Sequence, residues 1–145
     1  MEIKNPFELK YEVFDRLANK LRTKYSGIFV SGEYVSSPSS FPAVTFEETA
    51  NVINERTSDE NIQNGIDVEY TINIYTNNIG TREKNAREIA TDVDGLMLSL
   101  GFVRIYSNPV PNLADSTIYR MMLRYRGTVL AETMLNGTMY RVYRR

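Results

Sequence analysis

The chain has 145 residues, 42% of them hydrophobic and 24% charged, with a formal net charge of −1 at pH 7. This length and composition predict a single folded domain over residues 1–145, and so small a charge argues against attraction to nucleic acid through the overall field. The absence of cysteine and histidine excludes disulfides and thiolate chemistry, and it removes the commonest general base and metal ligand.

A helix and two short strands are predicted in the first third of the chain. Apolar residues recur at helical spacing over residues 7–24, which predicts an amphipathic helix. The β-prone run 28–36 predicts a strand, and a second short strand begins at Pro42 and ends at Phe46. The residues expected to turn the helix toward the core are Phe7, Phe14, Leu17, Leu21 and Tyr25.

The polar stretch from Glu48 to Asn64 is expected to be a long loop between the second and third strands. It holds few residues that form a core, and compact domains rarely keep so long a loop without a use. Two interpretations stay open at this point: a mobile surface loop, or a segment that becomes ordered against a partner.

Residues 65–100 carry the strongest pattern in the chain. Apolar and polar residues alternate from Ile66 to Tyr75, which predicts a strand with one buried face. Thr81 then stands where a helix N-cap is expected, and Gly101 where the helix should end. The apolar stripe of that second helix is Ala86, Ile89, Ala90, Val93, Met97 and Leu100.

The last third of the chain is predicted to be rich in strands. Residues 102–107 form a short strand, 108–112 a turn-prone connection, and 117–129 a long strand. Asn136-Gly137 predicts a hairpin turn, with 139–143 as the returning strand. These elements together predict an α+β fold, a mostly antiparallel sheet with two helices packed on one face.

Charge is distributed unevenly along the chain. Six acidic residues and one arginine lie between residues 47 and 67, whereas six arginines and one glutamate lie from residue 120 onward. The two regions are either complementary surfaces of neighbouring subunits or two solvated faces. The candidate basic face, on one side of the strand 117–129, comprises Arg120, Arg124 and Arg126.

No motif for catalysis or cofactor binding is found in the sequence. It has no glycine-rich phosphate loop and no GxSxG or SxxK arrangement. The adjacent Glu47 and Glu48, and Asp92 with Asp94, are expected to be solvated charges, and two aspartates two apart on a helix point to different sides. We therefore predict no catalytic residue, no metal site, no cofactor and no enzymatic activity.

Membrane insertion is not expected either. No apolar run is long enough to span a bilayer, and residues 1–6 are charged and lack the hydrophobic core of a signal peptide. We expect the protein to stay in the cytoplasm.

Three segments share turns and strand starts with a known family. Gly32-Glu33-Tyr34-Val35 and Pro38-Ser39-Ser40-Phe41-Pro42 resemble its first hairpin, and Gly101-Phe102 resembles the end of its second helix. The third segment begins at Asn108, continues to Asp115 and leads into Ile118-Tyr119-Arg120-Met121. Over about residues 7–129 the chain is similar to the tail terminator (tail completion, head-to-tail joining) proteins of long-tailed bacteriophages and prophages.

The resemblance implies a subunit that assembles as a ring, usually hexameric, on the last ring of tail-tube protein. Such a ring stops tube growth and presents a surface to the head connector, with DNA only passing through its lumen. The protein would lie in the host cytoplasm during assembly and then at the head-proximal end of the tail. The loop 48–64 would contribute to ring or tube contacts. Chosen on charge alone, the candidate interface or lumen residues are Glu47, Glu48, Glu55, Asp59 and Glu60.

Two other functions stay open on the sequence. One is a different connector or head-completion subunit of the same kind of particle. The other is a small nucleic-acid-binding module that uses the arginine face of residues 117–129, since tyrosines beside arginines are typical of stacking platforms for single strands.

Overall fold

A computed structural model describes residues 2–3, 5–58, 62–134 and 137–143, with side chains up to Ala131. These residues form two helices, each followed by three strands, and the six strands form a single sheet. The elements are α1 (Leu9–Lys24), β1 (Phe29–Ser31), β2 (Ala43–Ile53), β3 (Gly65–Thr76), α2 (Arg82–Ser99), β4 (Val103–Val110), β5 (Tyr119–Met134) and β6 (Gly137–Tyr143).

The sheet has the strand order β1-β2-β3-β5-β4, and β6 also pairs with β5. Tyr119–Leu130 of β5 pair with β3 on one edge, while its other edge pairs first with β4 and then with β6. All of these pairs are antiparallel except β1 with β2. The predicted α+β fold with a mostly antiparallel sheet is therefore confirmed.

The resemblance of residues 32–42 to a hairpin is corrected by the pairing of β1. This strand runs parallel to β2, with Phe29 opposite Ala43 and Ser31 opposite Thr45. A parallel pair cannot be joined by a tight turn, because the chain must cross back to the other end of the strand. Residues 32–42 make that crossing, and β1 ends at Ser31 instead of the predicted residue 36.

Both helices pack on one face of the sheet, as the sequence predicts. The core includes Ile72 of β3, Leu17 of α1 and Val93 of α2, each with no exposed surface. Four aromatic rings cross it in sequence, with centroids 5.9, 5.0 and 5.4 Å apart: Phe14, Phe46, Tyr70 and Phe102. We call this side of the sheet the covered face.

The core stripe of α1 differs from the predicted one. Phe7 precedes the helix and is 70% exposed, because α1 begins at Leu9 and its buried side follows the spacing from that residue. Phe14 and Tyr25 pack only partly buried against the core. The residues of α1 that are buried are Leu9, Val13, Leu17, Ala18 and Leu21.

The loop predicted from Glu48 is shorter than expected, because β2 continues to Ile53. Its second half pairs with β3 after a bulge between Glu48 and Ala50, and Asn54 N donates to Gly65 O at the end of the hairpin. Thr49, Ala50, Val52 and Ile53 are all exposed, so this half of the strand has no buried face to create an alternating pattern. The connection is residues 54–64.

The second helix and the strand before it match their predictions closely. α2 begins at Arg82, and Thr81 precedes it, although the Thr81 hydroxyl accepts from Asn85 Nδ2 and makes no cap to a backbone N–H. Gly101 follows with φ +100°, the left-handed conformation expected after a helix. Five of the six predicted stripe residues are buried, and Leu100 packs partly buried.

The strands after α2 are longer than predicted. β4 continues through Pro109 to Val110, and β5 reaches Met134. The predicted turn residue Asn136 lies outside the described residues, while Met134 and Gly137 on either side of it are paired. Within the described part of the chain, neither helix combines the length and apolar character needed to cross a membrane.

Candidate functional site

The side of the sheet that carries no helix is the candidate functional site, and we call it the open face. Its side chains come from every second position of β2, β3 and β5, the positions left over when their neighbours enter the core. Strand register places Glu47, Thr71 and Arg124 side by side across it, with Tyr106 of β4 beyond. Its central residues are Thr45, Glu47, Asp67, Glu69, Thr71, Asn73, Tyr75, Arg120, Met122, Arg124 and Arg126.

Arg120 is held between a polar side chain and two aromatic rings. Its Nε donates to Asn73 Oδ1 at 2.9 Å. The guanidinium carbon lies 5.7 Å from the ring centre of Tyr34 and 5.9 Å from that of Tyr75, within the range of a cation–π contact. Asn73 is only 1% exposed, so the arginine and its neighbours shield polar atoms on a face that no helix covers.

Arg124, four residues further along β5 on the same face, is fixed in a similar way. Its Nε donates to Thr71 Oγ1 at 3.3 Å and lies 3.9 Å from Glu69 Oε2. Its guanidinium carbon is 5.8 Å from the ring centre of Tyr106. Thr49 donates to Glu69 Oε2 at 2.7 Å, so the carboxylate is oriented from both sides.

Two hydroxyls on the open face have no hydrogen-bond partner among the described residues other than a contact with each other. They belong to Tyr75 and Thr45, and both atoms are buried. Burial raises the pKa of Tyr75, and the nearby Arg120 opposes that rise. The tyrosine therefore stays neutral near pH 7 and contributes its ring, rather than a charge, to the contact with Arg120.

The predicted acidic residues do not form a single cluster. Glu47 lies on the open face with the arginines, whereas Glu48 lies on the covered face opposite Tyr70, because neighbouring residues in a strand point to opposite sides. Burial raises the pKa of Glu48. Glu55 is exposed in the connection after β2. Asp59 and Glu60 lie outside the described residues.

The predicted basic residues share one face, as their alternation implies. Arg120 and Arg124 are half-buried, and Arg126 is exposed at the far end of the face. Arg126 lines a groove of about 1120 Å³ that also contains Glu55, Asp67 and Val103. The structure therefore brings together one acidic and one basic candidate that the sequence placed in separate regions.

Sequence reasoning missed the partners that orient the arginines. Tyr34 and Tyr106 lie in parts of the chain whose distance from β5 the sequence does not show. Glu69, Thr71 and Asn73 were visible as the polar half of an alternating strand. That signal marks these residues as one polar side of β3, but it does not show that they lie beside the arginines, because the pairing of β3 with β5 is known only from the structure.

The expectation that Asp92 and Asp94 are solvated is wrong. Asp92 accepts hydrogen bonds from the Tyr25 hydroxyl and from Lys24 Nζ, and Asp94 accepts from Tyr125 at 2.8 Å and pairs with Arg104 at 2.9 Å. Burial alone would raise the pKa of Asp92, but the hydrogen bonds from Tyr25 and Lys24 outweigh burial and lower it. The two aspartates do point to different sides of α2, as predicted, and each anchors the helix to another element.

The geometry of the open face suits contact with another protein. Three carboxylates (Glu47, Asp67, Glu69) and three arginines share it, so it has both signs of charge and oriented donors and acceptors. Within the described side chains, no group of three or more acidic residues is arranged to hold a metal ion. A face of mixed charge gives orientation and specificity to a protein interface.

Comparison with known proteins yields a fold likeness. No protein-family model matches the sequence, and no curated protein matches it. A chain in the solved structure "Virion of native gene transfer agent (GTA) particle" is similar over 92% of this chain and 90% of its own length, with 15% sequence identity and a TM-score of 0.52. This similarity shows a shared fold that includes nearly all of both chains.

Proposed function

We propose that this protein is a structural subunit of a phage-like virion. The observation that carries the proposal is the fold shared with a chain of a gene transfer agent virion, which extends over nine-tenths of each chain. The match includes nearly all residues of both chains instead of a shared fragment. The proposed role is one of shape and contact, without a catalytic step.

The finer proposal is that copies of the chain form a ring that caps the tail tube. The ring, most simply a hexamer, would end tube polymerisation and join the tube to the head connector while DNA passes through its lumen. Two of the segments that resemble the tail terminator family support this role, namely Gly101-Phe102 and the segment that begins at Asn108. The resemblance of residues 32–42 to a hairpin does not support it, because β1 and β2 are parallel.

The charges of the open face support a protein partner over DNA. A surface that grips the phosphate backbone needs an excess of Lys and Arg, whereas here three carboxylates balance three arginines. Glu69 and Glu47 would repel phosphates that approach Arg124. A face with both signs of charge instead suits contact with another protein, to which it gives orientation and specificity.

A nucleic-acid-binding module is the second candidate function, and one observation favours it. Arg120 lies over the exposed Tyr34 ring and Arg124 over Tyr106, and arginine with aromatic side chains is a common platform for bases. The shared virion fold also fits a different connector or head-completion subunit, which would bind the portal instead of the tube.

Light scattering and negative-stain electron microscopy of the purified chain test the ring proposal. We expect mass to rise with concentration and ring-shaped particles to appear, with a gel shift on single-stranded DNA absent at physiological salt. A strictly monomeric chain that binds neither tail tube nor connector would contradict the proposal. A salt-dependent gel shift that Arg120→Ala and Arg124→Ala abolish would favour the nucleic-acid alternative.

A further inference from the structure

The outer edge of β2 is an unpaired sheet edge. β1 pairs only with Ala43–Thr45, so residues 46–53 have no strand beside them among the described residues, on the side away from β3. Asn54 N donates to Gly65 O across the hairpin, and backbone groups alternate in direction along a strand. The N–H groups of Asn51 and Ile53 therefore point outward, away from β3.

This edge carries the features of a docking site. Val52 is 57% exposed and Ile53 55%, on opposite faces of the same strand. Phe7, 70% exposed, belongs to the segment whose Pro6 carbonyl accepts from Asn51 Nδ2. An exposed strand edge with apolar side chains beside it is a template for pairing with another strand, and proteins normally protect such edges unless a partner uses them.

The far side of β5, beyond the end of β4, also ends in an unpaired edge. There β6 pairs with Thr128–Met134 of β5, and no described strand lies beyond it. The two edges are staggered along the strands. The order is β2, β3, β5 and β6 only at the end of β2, where Ile53 is in line with Val142 across β3 and β5. The other outer strands fit pairing less well, because β1 has three residues and β4 contains Pro109 and a register shift between Arg104 and Tyr106.

We propose that β6 of one copy pairs with the outer edge of β2 (residues 46–53) of the next, so that the sheet continues from subunit to subunit. The inference rests on the proposed ring and specifies its contact. The partner edge is opposite in charge: β2 carries Glu47 and Glu48, and β6 carries Arg141. In this contact one edge of each copy pairs with a different edge of the next copy, so the contact is head-to-tail. Such a contact closes into a ring when the rotation between copies permits it.

A proline on the outer edge tests the backbone part of this contact. Ile53→Pro removes an outward N–H while leaving the hydrogen bonds of β2 with β3, so the subunit should fold with a normal circular dichroism spectrum. We expect its self-association constant to weaken roughly tenfold or more, because the added strand loses a ladder hydrogen bond and its register. Ile53→Thr, which keeps the N–H, is the matched control and should assemble nearly as the parent chain does.

Disulfide trapping identifies the partner strand, and it is simple here because the chain has no cysteine. Ala50→Cys is combined in turn with Met139→Cys, Arg141→Cys or Tyr143→Cys on β6. The control is Asn108→Cys on β4, which lies on the same face of the sheet as Ala50. Two strands lie between β2 and β6 within one copy, too far apart for an internal disulfide. We expect covalent multimers from at least one β6 pair and none from the β4 pair.

The outcomes separate this inference from the proposed function. Rings that form with Ile53→Pro as readily as with the parent chain, or cross-links through β4 and not β6, would overturn the edge pairing and leave the ring standing. A parent chain that stays monomeric at every concentration, with tail tube present, would overturn both.

Discussion

The two faces of this sheet come from alternate residues of the same strands, yet different interactions bury their side chains. The covered face is apolar: Ile66, Ile72 and Ile74 of β3 have no exposed surface and pack under two helices. On the open face, Thr71 and Asn73 of the same strand are 2% and 1% exposed, although no helix covers them. Arginine side chains and their aromatic neighbours provide that cover.

This difference between the faces implies that the covered face mainly stabilises the subunit and that the open face mainly selects its partners. Burial of apolar side chains dominates the free energy of folding, so the covered face should account for most of the stability of the subunit. Oriented charges add little net stability but select partners. The open face should therefore tolerate substitution in the isolated chain and respond strongly in the assembled one.

Adjacent residues of β3 give the largest expected contrast between the faces. Ile72→Ala removes a fully buried side chain from the covered face and should lower the free energy of unfolding by about 3 kcal/mol. Thr71→Ala on the open face removes a hydroxyl that accepts from Arg124 and should cost about 1 kcal/mol. Urea denaturation of the two variants measures both, and equal losses would refute the contrast.

Removing the hydroxyl of one buried tyrosine on each face should give a smaller contrast in stability. Tyr125 on the covered face donates to Asp94 Oδ1 at 2.8 Å, so Tyr125→Phe should cost about 2 kcal/mol, as expected for a hydrogen bond to a charged group. Tyr75→Phe on the open face removes a buried hydroxyl whose one nearby partner among the described residues is the neutral Thr45 hydroxyl, and stability should change by less than about 0.5 kcal/mol. Thermal unfolding of both variants tests this order, and the reverse order would contradict it.

Substituting an arginine of the open face and one on a helix surface should change self-association by more unequal amounts than it changes the free energy of unfolding. Arg120→Ala loses the hydrogen bond to Asn73 and two ring contacts and should cost about 1 kcal/mol. Arg87→Ala, the control, loses only an exposed pair with Glu83, and its stability should change by less than about 0.5 kcal/mol. If the open face is a contact surface, light scattering should show weaker self-association for Arg120→Ala alone.

The smallest predicted effect is a dependence on pH. The folded state lowers the pKa of Asp92 against the opposing effect of burial, through hydrogen bonds from Tyr25 and Lys24. A carboxyl with a lowered folded pKa contributes stability above its ordinary pKa, and that stability is lost as the pH falls through the folded value. Tyr25→Phe should therefore be less stable than the parent chain by about 1 kcal/mol at pH 7. The gap should narrow as the pH falls below about 4, and a gap that stays constant down to pH 2 would be inconsistent with this coupling.

Strong local patterns explain how much of the fold was predictable. β3 and α2 followed directly from periodicity, because each has one continuous buried side. The second half of β2 was missed because Val52 and Ile53 are exposed on opposite faces and leave no alternation of burial. The parallel pairing of β1 depends on a crossing of residues 32–42 that only the complete structure shows.

The candidate site was predictable only in part, for a related reason. The three arginines were found because they alternate on one strand. Tyr34 and Tyr106 were not, since their proximity to those arginines is set by the tertiary fold. Charge along the sequence also suggested two separate patches, whereas the structure puts Glu47 and Glu69 on the same face as Arg124. Strand register, which the sequence did not supply, decides which charges meet.

Electron microscopy of tail tubes incubated with the purified chain is the sharpest test of the proposed cap. We expect ring-shaped density at one end of each tube and no further elongation when tube protein is added. Tubes that keep growing with bare ends, while the chain remains monomeric beside them, would contradict it.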